Sequence, residues 1–86
     1  MRIDFVPECW ISKKKYGIEF LATANGEEIT CFISHEAISH FGTGDDMQMF
    51  NRHRPTIQKV ALRLIDAGRV IENELVITES DVACLV

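Results

Sequence analysis

Few residues in this sequence have a type and spacing that could carry chemistry. His35 and His40 stand five positions apart just after an alternating run. Two ligands on one side of a helix must be three or four apart, so this pair does not read as a metal site. Neither Cys31 nor Asp45 nearby completes one, and surface imidazoles are the plainer reading. Cys9, Cys31 and Cys84 are odd in number and widely spaced. That fits neither a disulfide framework nor paired Cys-x-x-Cys hooks, so reduced thiols are expected. Cys31 with His35 or His53 is the one combination of nucleophile and base. Cys31 falls on the apolar side of a strand pattern, where burial raises a thiol's pKa and quietens it. No metal, cofactor or catalytic residue is expected.

Arg54 is the most informative oddity. Phe50, Arg54, Ile57, Ala61 and Leu64 share one face of a helical pattern. An unpaired guanidinium on such a face is costly. It must run along the core edge or meet a partner, such as Glu36, Asp81, Glu19 or backbone carbonyls of another element. We expect it to be more than half buried and bonded to another element. The functional version of the same oddity is a small anionic ligand held by His53 and Arg54.

Lys13-Lys14-Lys15 reads as a solvated turn, because no basic or aromatic neighbours extend it. The net charge of −4 argues against broad phosphate-backbone binding. Nucleic acid is therefore not an expected partner, even with Arg52, Lys59 and Arg63 aligned on one helix side. Gly42-Thr43-Gly44 lacks the Lys-Ser/Thr that a phosphate loop requires.

The elements that must position these residues centre on Tyr16 to Ser34. Asn25-Gly26 is a strong hairpin signal, since both central positions of a type I′ turn need φ > 0. A two-residue loop sets Ala24 opposite Glu27, Ala22 opposite Ile29, Phe20 opposite Cys31 and Ile18 opposite Ile33. One side of the hairpin is then apolar throughout, and the other keeps Leu21 and Phe32 among polar residues. Ahead of it, Arg2 to Val6 alternates as a short strand that Pro7 stops or marks as an edge, and Cys9 to Ser12 is a second extended piece.

After the hairpin, Ser34 caps a short helix that Gly42-Thr43-Gly44 ends. Asp45 and Asp46 then open the longest helical pattern, through Met47, Phe50, Ile57, Ala61, Leu64 and Ile65, closed by Gly68. Pro55 interrupts it. The apolar phase runs unshifted across the proline, which favours one kinked helix over a break with Pro55 opening a new one. Val70 to Thr78 returns to strand, and Thr78 with Asp81 resembles a capping box before a last helix over 79–85.

The length makes residues 1–86 one domain. No apolar run approaches the roughly 20 residues of a membrane-spanning helix. Asp4 interrupts the N-terminus where an export signal needs an apolar stretch. A cytoplasmic location is expected.

Three ordered pieces also carry a likeness: Phe20-x-Ala22 leading to Asn25-Gly26, then Thr30-Cys31-x-Ile33-Ser34-x-Glu36, then Phe50-x-x-His53-Arg54. With these the chain resembles the YrdB-like proteins, a small proteobacterial family classified as a domain of unknown function. The resemblance covers most of the chain to about Leu64 and implies a small α+β fold without catalytic residues.

The fold expected is α+β: a small, mainly antiparallel sheet of three to five strands, one long helix on a single face and a short helix after the hairpin. The function expected is non-enzymatic interaction with a second copy or another protein, through Leu21 and Phe32. The alternative is an anionic-ligand-binding or enzymatic domain using His53 and Arg54.

Overall fold

Asn25 and Gly26 take φ of 53° and 86°, the backbone that a tight two-residue turn between twisted strands needs. They join β2 (Gly17–Ala24) to β3 (Glu27–Ser34). The antiparallel register sets Ala24 opposite Glu27, Phe20 opposite Cys31 and Ile18 opposite Ile33, as the alternation predicts. In this computed structural model, which describes residues 2–85, β1 (Ile3–Ile11) flanks β2 and β4 (Glu74–Ile77) flanks β3, giving the order β1-β2-β3-β4. β4 runs parallel to β3, with Leu75 opposite Cys31 and Ile77 opposite Ile33. The architecture is α+β on a four-stranded, mainly antiparallel sheet.

Pro7 does not end the first strand. Pairing resumes beyond it, with Phe5 opposite Ala22 and Cys9 opposite Phe20, so Val6, Pro7 and Glu8 bulge opposite Leu21 alone. A proline cannot donate to a ladder, and an edge strand with a bulge has no need of that donor. The two extended pieces expected on either side of Pro7 are thus one strand. At the other edge, only Glu74 to Ile77 is strand; Glu72 and Asn73, at φ of 52° and 62°, turn the chain tightly into it.

The described residues hold α1 (His35–Ser39), α2 (Asp46–Arg52) and α3 (Arg54–Asp66) between β3 and β4, and α4 (Glu79–Leu85) after β4. Side-chain caps start α1, α2 and α4. Ser34 Oγ accepts from the Ala37 N–H at 3.1 Å, and the Asp45 carboxylate accepts from the Gln48 N–H at 3.2 Å. Asp81 accepts from the Thr78 N–H at 2.9 Å while Thr78 Oγ1 accepts from the Asp81 N–H at 3.4 Å, a reciprocal capping box.

The single kinked helix expected through Pro55 is instead two helices. His53, at φ −109° and ψ 19°, leaves the helical region between them, and Pro55 lies in the first turn of α3. There its missing N–H is one that would have had no helical partner, and its ring no longer meets the Asn51 carbonyl. His53 still links the two, donating to the Met49 carbonyl and accepting from the Ile57 N–H, each at 3.0 Å.

The helices pack on one sheet face. Ile18, Phe20, Ala22, Cys31, Ile33, Leu75 and Ile77 from the strands meet Ile38, Phe50, Ile57, Ala61 and Val82, all buried in one cluster. Phe20 and Phe50 stand with ring centroids 5.1 Å apart at its centre. Among the described residues, no helix is long and apolar enough to cross a membrane.

Candidate functional site

Arg54 sits at the start of α3, partly buried, and spends its donors on the fold. Its Nη1 donates to the Pro7 carbonyl at 3.0 Å, and its Nη2 donates to Asn51 Oδ1 at 2.6 Å and to Cys9 Sγ at 3.4 Å. The guanidinium carbon lies 5.0 Å from the centre of the Phe50 ring. The guanidinium therefore clamps α3 to the β1 bulge, where the interrupted ladder leaves a carbonyl to be met. A backbone carbonyl of another element, not a carboxylate, is its long-range oxygen partner. His53 turns elsewhere and stacks on Phe41, with centroids 5.0 Å apart and planes 19° off parallel. Arg54 thus meets the β1 bulge and Asn51, and His53 meets the Phe41 ring.

The cysteines also separate. Cys31 is buried, and desolvation pushes its thiol pKa up to about 12. Cys9 is partly buried with Sγ 3.5 Å from Met47 Sδ, and Cys84 is exposed. All three are free thiols. Among the described residues, no three His, Cys, Asp or Glu side chains gather as they would around a metal ion.

The sequence reading misses one polar constellation. His35 Nδ1 lies 2.8 and 3.0 Å from the two carboxylate oxygens of Asp46, and its Nε2 lies 3.4 Å from Ser39 Oγ. Tyr16 stacks on the imidazole at 4.2 Å. The order carboxylate, imidazole, hydroxyl is the order that activates a serine nucleophile. Its setting opposes that use. Ser39 is the last residue of α1, where a helix presents carbonyls and negative partial charge, the reverse of what a developing oxyanion requires. The bond from His35 to Asp46 serves instead to tie α1 to α2 across the Gly42-Thr43-Gly44 loop. No local signal in the sequence pairs residues from two separate helix starts.

Among the described residues, no helix lies across the second sheet face. By register it carries Trp10 and Glu19 side by side, then Leu21 opposite Thr30, and Phe32 beside Val76. Phe32, expected to be free for a partner, is only 8% exposed. Its ring lies against Gly17, where an added Cβ would come within 2.8 Å of ring atoms, and Lys15 Nζ stands 5.5 Å from the ring centre. The lysine turn thus folds back over the sheet. Ser12 Oγ accepts from the Lys14 and Lys15 N–H groups at 3.3 and 3.2 Å and donates to Glu19 at 3.3 Å.

Leu21 is half-buried, and the larger apolar surfaces are Trp10 and Val76, exposed by 37% and 39%. Trp10 stands beside Glu19 and donates Nε1–H to that carboxylate at 2.6 Å. A cleft of about 690 Å³ lies here, bounded by Trp10, Lys13, Lys14, Glu19, Thr30 and Glu74. Lys13, Lys14 and Lys15 have no acidic partner among the described residues, whose ion pairs are Arg2 with Asp4, His35 with Asp46 and Arg69 with Asp81.

The fold and this half-covered sheet define a small α+β domain of a family whose function is unassigned. The chain belongs to the DUF1488 family, described as a protein of unknown function, whose model matches residues 3–75. The chain is also similar to a solved DUF1488-family protein of unknown function from Shewanella loihica PV-4. That likeness has a TM-score of 0.74 at 21% identity and covers 87% of this chain and 90% of the other. At that identity it establishes the shared fold. Among curated proteins there is no match. The expectation of a family of unknown function holds at this level, while the narrower YrdB-like and proteobacterial designation rests on the sequence resemblance alone.

Proposed function

We propose that the protein is a non-enzymatic interaction domain that receives a protein partner on the uncovered face of its sheet. One observation carries the reading: Trp10, Leu21 and Val76, from three different strands, leave apolar surface on a face that no helix among the described residues covers. Single exposed apolar residues are ordinary on any protein surface. A tryptophan, a leucine and a valine sharing one open sheet face are the kind of patch that partners use. The expected surface at Leu21 and Phe32 shifts accordingly to Trp10, Leu21 and Val76. We place the domain in the cytoplasm, a reading supported by its three free thiols.

A photo-crosslinking amino acid installed at Leu21 or Val76 in living cells tests this. The control position is Lys59, on the exposed side of α3. Adducts are expected from the two sheet positions, lost when Trp10→Ser is added, and absent from the control. An absence of adducts above control at both sheet positions would overturn the reading.

A further inference from the structure

We infer that the partner on the open face is a second copy of this chain, packed with its strands antiparallel to the first; this rests on the interaction reading above. The inference comes from how charge is laid out along the strands. At the hairpin end, Asp4, Thr23 and Glu28 form one row across β1, β2 and β3, and Glu72 precedes β4 nearby. Arg2 bonds Asp4, leaving Glu28 and Glu72 without a basic partner among the described residues. The next row is Leu21, Thr30 and Glu74, and the next is Trp10, Glu19, Phe32 and Val76. Beyond that row lies the Lys13-Lys14-Lys15 turn, whose lysines reach back beside Glu19, Thr30 and Glu74. The face has acids at one end and the lysine turn at the other, with Trp10, Leu21 and Val76 between them among Glu19, Thr30 and Glu74.

Such a face carries its own complement. A two-fold axis lying across the strands places the lysine turn of each copy over Asp4 and Glu28 of its partner. It also sets the Trp10 and Val76 row against the partner's Leu21 and Thr30 row. A two-fold along the strands would instead oppose lysines to lysines and acids to acids, so charge selects the antiparallel arrangement. Phosphate-rich partners suit the surface less, because Glu19, Glu28 and Glu74 lie among its residues. Edge-to-edge pairing is disfavoured at β1 by the bulge and Pro7.

Strand spacing of about 4.8 Å and row spacing of about 6.8 Å give a patch on the order of 15 × 20 Å. That is about 300 Å² per copy, below the roughly 800 Å² per partner of a standard interface, so association should be weak and salt-sensitive.

Sedimentation of the purified chain over about 1–500 µM reads this directly. A concentration-dependent dimer is expected, weakened at least tenfold by Trp10→Ser. Two charge variants complete the test, each checked for unchanged circular dichroism. Lys13→Glu with Lys14→Glu makes the face acidic at both ends, and Asp4→Lys with Glu28→Lys makes it basic at both ends. Each variant alone should lose self-association by about tenfold or more, and an equimolar mixture should restore it as a heterodimer. A chain that stays monomeric at every concentration would overturn the inference, as would a dimer indifferent to these reversals. If crosslinked adducts then have a mass other than twice the chain, the interaction reading stands and the second copy does not. If no adducts form, both fail.

Discussion

A single methyl group added at Gly17 should unseat the Phe32 ring and the lysine turn that lies over it. Gly17 has no positive φ, so its requirement for glycine is not conformational. It is steric: a Cβ there would lie 2.8 Å from two Phe32 ring atoms and closer still to the Ile33 carbonyl oxygen, well inside the ordinary contact range of 3.4–4 Å. The aromatic ring can swing away, but the backbone oxygen cannot, because the strand pair continues through Ile33 and Ser34. Overpacking by one carbon costs about 1–3 kcal/mol, and a rigid obstacle places Gly17→Ala at the upper end. Reduced freedom of the unfolded chain returns about 0.4–1 kcal/mol. The net loss should be about 2 kcal/mol, or about 8–16 °C in Tm for a domain of this size. Urea titration of wild type, Gly17→Ala, Phe32→Ala and the double variant reads both obstacles. Removing the Phe32 ring should recover only part of the Gly17→Ala loss. A Gly17→Ala change below about 0.5 kcal/mol, or full recovery in the double variant, would refute this account of the site.

Three further outcomes follow from named contacts. Arg54→Lys should lose about 1–2 kcal/mol in the same titration, because one ammonium cannot reach Pro7, Asn51 and Cys9 together; an unchanged midpoint would show that the clamp is slack. At Asp81, burial raises the carboxyl pKa, but hydrogen bonds from the Thr78 N–H, Arg69 and Thr78 Oγ1, with the Arg69 charge, bring it below the ordinary carboxylate value. A lowered folded pKa contributes stability above the unfolded pKa of about 3.9 that is lost as pH falls through the folded one. Asp81→Asn should thus unfold more readily than wild type at neutral pH, and the gap should close in strong acid. Cys31, its thiol pKa pushed up to about 12 by burial, should react with a disulfide reagent only on unfolding, while exposed Cys84 reacts at once; fast modification of Cys31 in the folded chain would contradict the core.

The short-range devices of this protein are written in its sequence because they operate within a few residues. Asn25-Gly26 supplies the two positive φ values that set the β2–β3 register, and side-chain alternation does the rest. Ser34, Asp45 and the Thr78–Asp81 pair cap their helices through bonds that span three residues. Tertiary packing decided what local pattern leaves open. Pro55 is compatible with a kink or a break, and an unshifted apolar phase cannot separate them; the break prevailed because it places the proline in a first turn. Arg54 declared only its need for a partner, and the Pro7 carbonyl that meets it lies 47 residues away. Phe32 reads as exposed by alternation, yet it is covered because Gly17 leaves space for its ring and the lysine turn folds back over it. Choices of this kind depend on which distant surfaces meet, and they become visible only when the sheet and helices are assembled.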